Sequence, residues 1–323
     1  TINDGLVWSD GTPITAKDYV FAVLLENSDE MAGVDGYPCN GGYTYVGYDE
    51  WLDGSADAFA GVHLVDDMTF SLTVKAEELP YHYDITYALL SPRPLHVIAP
   101  ECDVEDTENG ATITGDFTTE LLQETINNVD TGYRYNPKVT CGPYLFDNFD
   151  EASQQATLKA NPEFVGDYRG VKPSIETLVI KTVSSDTMMN ELESGSVDLL
   201  YSCSGGDTIN AGLDLVEEGK AADTTYMRNG YGKIQFDCSV FPTDSQNVRQ
   251  AIAYCLDRNE FARQYTGGYG SVVHSFYGLA QWEYQDSVEW INENLNTYEM
   301  NVDAAKELLE ADGWNLIADG TPY

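Results

Sequence analysis

The segment from Trp8 to Leu25, WSDGTPITAKDYVFAVLL, constrains the fold more than any other stretch. Asp10-Gly11-Thr12-Pro13 is a turn signal, because glycine supplies positive φ and proline fixes its own backbone angle, so the chain must reverse there. Thr15 followed by Asp18 matches a capping box, which predicts a helix from Ala16. Val20, Val23, Leu24 and Asn27 then recur at helical spacing, with Phe21 and Leu25 widening the stripe, so the helix is expected to bury one side against a sheet or another helix. Trp8 is placed to plug the near end of that core. The stretch contains no catalytic group and reads as scaffold.

At 323 residues the chain is long enough for about two domains with cores of their own. No apolar run approaches the roughly 20 residues that cross a bilayer. Lys and Arg number 16 against 54 Asp and Glu, a formal charge of −38. Such a field repels nucleic-acid phosphates and anionic lipid, and its plain effect is solubility. The six cysteines, Cys39, Cys102, Cys141, Cys203, Cys238 and Cys255, form no CxxC pair, and the four histidines do not cluster with them, so neither a metal site nor a cofactor is expected. Cys255, inside AIAYCL, reads as a small buried hydrophobe. A disulfide framework is not expected, and a bridge involving exposed Cys39 or Cys102 stays open.

Along the chain the texture changes twice. Residues 29–62 are Gly-, Tyr- and Asp-rich and fit loop or short strands. MTFSLTVKA alternates Phe70, Leu72 and Val74 with polar residues, the period of a half-buried strand. The acidic segment 101–116 reads as a loop; Gly110 and Asp116 echo a calcium loop, but Glu105 and Thr107 are poor first and third ligands. From about Tyr135, TCGPYLFDNFD, QATLKANPEFV and IETLVIKTV read as three strands. SSDTMMNELESGSVDLLY reads as a helix capped by Ser185 and ended at Gly195, then a strand up to Tyr201. Beyond the boundary at 228–232, DSQNVRQAIAYCLDRNEFARQYTGG holds two consecutive helices, the second capped by Asp257. GYGSVVHSFYGLAQWEY is an aromatic loop, and NVDAAKELLEADGW a capped helix stopped at Gly313.

WSDGTPITAKDYVFA, CGPYLF with KANPEF, ELESGSVDLL, and VRQAIAYCLDRNEF followed by GYGSVVHSFYGL and AKELLEADGW occur in an order that resembles the family-5 extracellular solute-binding proteins of ABC importers, the oligopeptide, dipeptide and nickel-binding class. The resemblance implies an α/β, periplasmic-binding-protein-like (class II) two-lobe clamp. Residues 1–135 would be an inserted α+β domain of the first lobe, 136–229 its β-rich part, and 230–323 the opening half of a truncated second lobe. Family members are longer at both ends, so the chain looks like a central portion lacking a lipid-anchored N-terminal segment. It implies a location at the outer membrane face or in the periplasm, a peptide or other small solute as ligand, and ABC permease subunits as partners. Arg249 and Asp257 look like helix anchors in this family.

A peptide would be held by main-chain hydrogen bonds, as an added strand. Candidate lining residues are Tyr81 and Tyr83, Cys203 and Ser204 after the strand ending at Tyr201, Tyr231, and Tyr277 with Trp282 in the aromatic loop. The rival readings are a secreted hydrolase using two converging carboxylates, for which no GxSxG, HExxH or phosphate loop is present, and a carbohydrate-binding surface module suggested by the 22 tyrosines.

Overall fold

The computed structural model describes residues 1–36, 41–81, 83–203, 205–226, 228–317 and 320–322. Chain contacts divide it into two units, Thr1–Thr182 and Val183–Tyr323.

In the first unit the reversal at Asp10–Pro13 forms as expected: the Thr12 N–H donates to Asp10 Oδ1 at 2.9 Å, Gly11 sits at φ +86°, and Val7 bridges Pro13. Helix α1 (Ala16–Glu26) starts at the expected residue, with the Asp18 carboxylate accepting the Thr15 N–H at 2.9 Å. Trp8 is 1% exposed. Burial of α1 is wider than a stripe, since every residue from Val20 to Leu25 is buried. The reason is that α1 is covered from several directions, by the antiparallel hairpin β1 (Val62–Asp66) with β2 (Thr69–Leu72) and by a second hairpin, β3 (Asp103–Thr107) with β4 (Gly110–Thr114).

That second hairpin corrects the loop expected at 101–116. Its strands carry charge on exposed positions but turn Val104 and Ala111 into the core, and Gly110 makes the turn at φ +124°. A Cβ at Gly110 would stand 2.2 Å from the Phe59 carbonyl oxygen, so only glycine allows this approach. The Phe59 N–H donates to Ala111 O at 2.9 Å, tying the hairpin to the core ring that stacks on Trp51 at 6.2 Å. Residues 29–62 also hold two short helices, α2 (Asp29–Ala32) and α3 (Tyr48–Leu52), where loop or strand was expected. Helices α4 (Leu95–Ile98) and α5 (Thr119–Thr125) close the core with Ile98 and Leu122. The three expected strands form one antiparallel sheet in the order β5 (Tyr144–Asp150), β6 (Gln155–Ala160), β7 (Thr177–Lys181).

The second unit is helical among its described residues: α6 (Met188–Glu193), α7 (Gly206–Glu217), α8 (Gln246–Tyr254), α9 (Arg258–Thr266), α10 (Trp282–Asn294) and α11 (Val302–Ala311). Helix α6 follows Thr187, not Ser185, and ends before Gly195 at φ +73°. Val197–Tyr201 is not a strand. A strand needs a neighbour for its N–H and C=O groups, none runs beside it among the described residues, and Leu199 and Tyr201 are 79% and 86% exposed. Asp257 caps α9 by accepting the Glu260 N–H at 2.9 Å, and Arg249 anchors α8 by donating to the carbonyls of Thr243 and Asp244 at 2.7 and 2.9 Å. Cys255 is exposed, not buried: it continues the helical path past α8, but the end of that face is left uncovered, as the exposed Ile252 beside it also shows. Helix α11 is capped by Asn301, whose side chain accepts the Ala304 N–H at 3.0 Å, and Gly313 follows at φ +82°.

Candidate functional site

The candidate residues fall in both units. In the first, the irregular stretch after β2 brings Tyr81 against Tyr83 edge-on, with centroids 6.1 Å apart, and against Tyr87 at 5.4 Å. Short 3₁₀ turns at Ala76–Glu78 and Asp84–Ala88 set these rings. Tyr87 Oη donates to the Glu78 carbonyl at 3.0 Å, and Tyr45 Oη donates to the Tyr87 carbonyl, so the stretch is pinned to the core through a buried tyrosine.

Beside these rings lies a recess of about 570 Å³. Its floor is the last turn of α1, where the buried Asn27 accepts the Gly42 N–H at 2.9 Å and donates to Val23 O at 2.7 Å. Around it stand Glu26, Tyr43, Glu77, Glu78, Tyr81 and Tyr87, and none of the described residues lining it is basic. Glu26 is held at the edge by Arg93, which donates from Nε and Nη2 at 2.9 and 2.7 Å. Burial pushes the Tyr87 phenol up, and the negative surroundings of Glu78, Tyr81, Tyr43 and Asp84 push it the same way. The sequence singled out Tyr81 alone among the residues of this recess. The clustered tyrosines of GGYTYVGY and YHYDITY were the available signal, but not their meeting.

In the second unit, Tyr277 and Tyr231 belong to segments that touch: a Cβ at Gly278 would lie 3.0 Å from the Asn229 carbonyl oxygen. The turn at 275–281 is closed by Ser275 Oγ, which accepts the Tyr277 N–H at 3.2 Å, and by Gln281 Oε1, which accepts the Gly278 N–H at 2.5 Å. Trp282 is not in the loop: it opens α10, a helix the aromatic content had concealed, and is half exposed there. Cys203 is an exposed free thiol preceding α7. Ser204, like Cys39, lies outside the described residues.

Asp18 is the one buried acid among the described residues, and it caps a helix. Burial pushes its carboxyl up, against the pull of the Thr15 and Leu95 amides, the Trp8 indole and nearby His96. Burial also raises the Cys102 and Cys141 thiols, which keeps them protonated and poorly nucleophilic. Among the described residues no three His, Cys, Asp or Glu side chains converge to hold a metal.

The family profile described as bacterial extracellular solute-binding proteins, family 5 (middle), matches residues 1–322. A probable ABC transporter-binding protein of Deinococcus radiodurans is 24% identical over 325 residues, covering 95% of this chain and 48% of that protein. Lactococcal OppA, solved with an endogenous peptide in the closed conformation, superposes with a TM-score of 0.65 at 19% identity, over 99% of this chain and 55% of that one. The periplasmic EDTA-binding protein EppA superposes at 0.64 and 20% identity, over 99% and 54%. The chain thus spans about half the length of the relatives it matches, and carries that portion of a mixed α and β, periplasmic-binding-protein fold.

Proposed function

Because the chain belongs to the family-5 bacterial extracellular solute-binding proteins, we propose that it is part of the capture component of an ABC importer, which binds a peptide outside the cell membrane or in the periplasm and presents it to permease subunits without breaking a bond. The observation that carries this reading is the family match over residues 1–322. It is supported by the peptide in the lactococcal relative and by the roles the reactive side chains already have, with Asp18 capping α1 and Asp257 capping α9.

In this reading residues 1–135 are an inserted domain of one lobe, 136–229 its β-rich part, and 230–323 the opening half of the other. A hinged closure of the full-length protein excludes water from the ligand. Main-chain hydrogen bonds hold the peptide, and half-exposed aromatic side chains such as Tyr83, Tyr231, Tyr277 and Trp282, with Cys203, border its side-chain pockets. Tyrosine and tryptophan suit the task, since they offer large contact area with few rotors to freeze. A lipid anchor on the full-length protein keeps it beside its permease.

The EDTA-binding relative sets the competing ligand class, a chelator free or with its metal. Calorimetric titration of the full-length protein with di- to hexapeptides of mixed sequence, and in parallel with nickel and EDTA chelates, separates them. Saturable binding of peptides is the expected result. Saturation by chelates with no peptide response would replace the ligand, and turnover of any tested compound would overturn the reading.

A further inference from the structure

We propose that the recess at the end of α1 is a binding site for a small organic ammonium ion, complete within the first unit and separate from peptide capture. The volume, about 570 Å³, lies in the range of small-molecule sites. Its chemistry is selective. The Tyr81 and Tyr87 rings meet at 40° and 5.4 Å to form an aromatic corner, and Tyr43, itself more than half exposed, adds a third ring from the 41–45 segment. Aromatic faces attract a cation through the ring quadrupole, most strongly a diffuse one such as a quaternary ammonium.

Glu26, Glu77 and Glu78 supply negative charge around the same volume, and Arg93, which reaches Glu26 at the edge, is paired with that carboxylate. An anion is therefore repelled. A hard metal ion is disfavoured as well, because much of the lining is rings and the apolar Pro80, Leu89 and Leu90, where such an ion needs several converging oxygens. A cationic head on a short apolar or hydroxylated stem fits both features: the charge faces the carboxylates and rings, and the stem covers the leucines.

The floor is rigid enough to hold this shape. Asn27 is buried and bonded on both sides, and Tyr45 fixes Tyr87 from beneath. All the groups belong to the first unit, so the site owes nothing to the second and the inference does not rest on the peptide reading.

The test is calorimetric titration of the protein with choline and, in parallel, with 3,3-dimethylbutan-1-ol, its neutral carbon isostere. Choline is expected to saturate one site, and the isostere to bind about tenfold more weakly or worse, the loss of the cation–π and ionic attraction. Tyr81→Leu keeps apolar cover but removes a ring, and is expected to weaken choline about fivefold while leaving the isostere unchanged. Glu78→Gln is the second variant, expected to weaken choline and flatten its salt dependence. Tyr81 is 46% exposed, so its replacement leaves the core intact, which a thermal melt checks. Equal binding of choline and its isostere, no saturation by choline below about 10 mM, or indifference to both substitutions would each overturn the proposal. Repeating the choline titration with saturating peptide separates the two sites: undiminished binding is expected, and competition would overturn their separateness. A protein that binds choline but no peptide would leave this site standing while the peptide reading falls.

Discussion

Phe59 and Phe276 are the same residue in opposite circumstances. Phe59 is fully buried, stacked on Trp51 and set near Tyr45 and Tyr48, and its backbone is bonded to a neighbouring hairpin; Phe276, in the aromatic loop, is 88% exposed. The contrast runs through the two units. The first encloses a continuous core from α1 across both hairpins to α5. In the second the buried apolar residues among those described are Leu215, Val248, Ala251, Ile291 and Ala305, and its helices are held largely by caps and polar ties. A hydrophobic core stabilises in proportion to the apolar area it hides, so the first unit carries its own stability and the second depends on directional bonds.

That comparison breaks most visibly on truncating the two phenylalanines. Phe59→Ala is expected to cost about 3–5 kcal/mol in denaturant unfolding, the range for an aromatic removed from a core. Phe276→Ala is expected to stay within about 0.5 kcal/mol. Similar losses at both sites would show the contrast to be false.

Polar ties come next. In the second unit Asp312 receives the Asn247 amide at 2.7 Å and the Ser245 hydroxyl, joining the end of α11 to the start of α8. Asp312→Ala is expected to cost about 2 kcal/mol, and hydrogen exchange would localise the loss to those two helices. Smaller again is the cap of α9, where Asp257→Ala is expected to cost about 1 kcal/mol, read from the melting temperature alongside the conservative Asp257→Asn, which retains the cap.

The smallest effects concern pH and separate the units by sign. The Asp18 carboxyl is pushed up by burial, so its contribution favours folding below the ordinary carboxylate range and is lost as pH rises through its folded value. His274 is pushed down by burial and by Arg258, with Glu299 opposing; its contribution is present above the ordinary imidazole range and is lost as pH falls through its folded value. Acidification from pH 7 to 5 is therefore expected to loosen the segment around His274, where Arg258 also binds the Thr297 carbonyl, and not α1. Hydrogen exchange at the two pH values reads this directly. His274→Gln should abolish the difference, and Asp18→Asn should flatten the response of the first unit above the ordinary carboxylate range of about pH 4, up to the raised folded value.

How much of this was legible beforehand follows the same physics. Signals carried by local chemistry survived: the Asp10–Pro13 reversal, the start of α1, the caps at Asp257 and Asn301, and the stops at Gly195 and Gly313 each depend on a few adjacent residues. Apart from the cap of α6, which falls on Thr187 and not Ser185, what failed depended on partners distant in sequence. The β3–β4 hairpin looked like a loop because its inward positions, Val104 and Ala111, are few and its charges many, and only contact with Phe59 shows why it folds. Val197–Tyr201 looked like a strand because it is apolar, yet a strand is defined by its neighbour. Helix α10 was hidden by Trp282, Tyr284 and Trp290, residues of middling helix propensity, although Ile291 packs inward at helical spacing. Of the candidate site, single tyrosines could be chosen, but the recess is assembled from α1, the 41–45 segment and the 77–90 segment, and no local pattern encodes that meeting.

Capture of a solute without chemistry is tested most directly by equilibrium dialysis of the full-length protein against a defined pentapeptide, followed by mass analysis of what is recovered. Peptide is expected to accumulate on the protein side to one equivalent and to be released on denaturation with its mass unchanged. Recovery of cleaved or modified peptide, or no accumulation of any peptide while a chelate or sugar accumulates in its place, would contradict it.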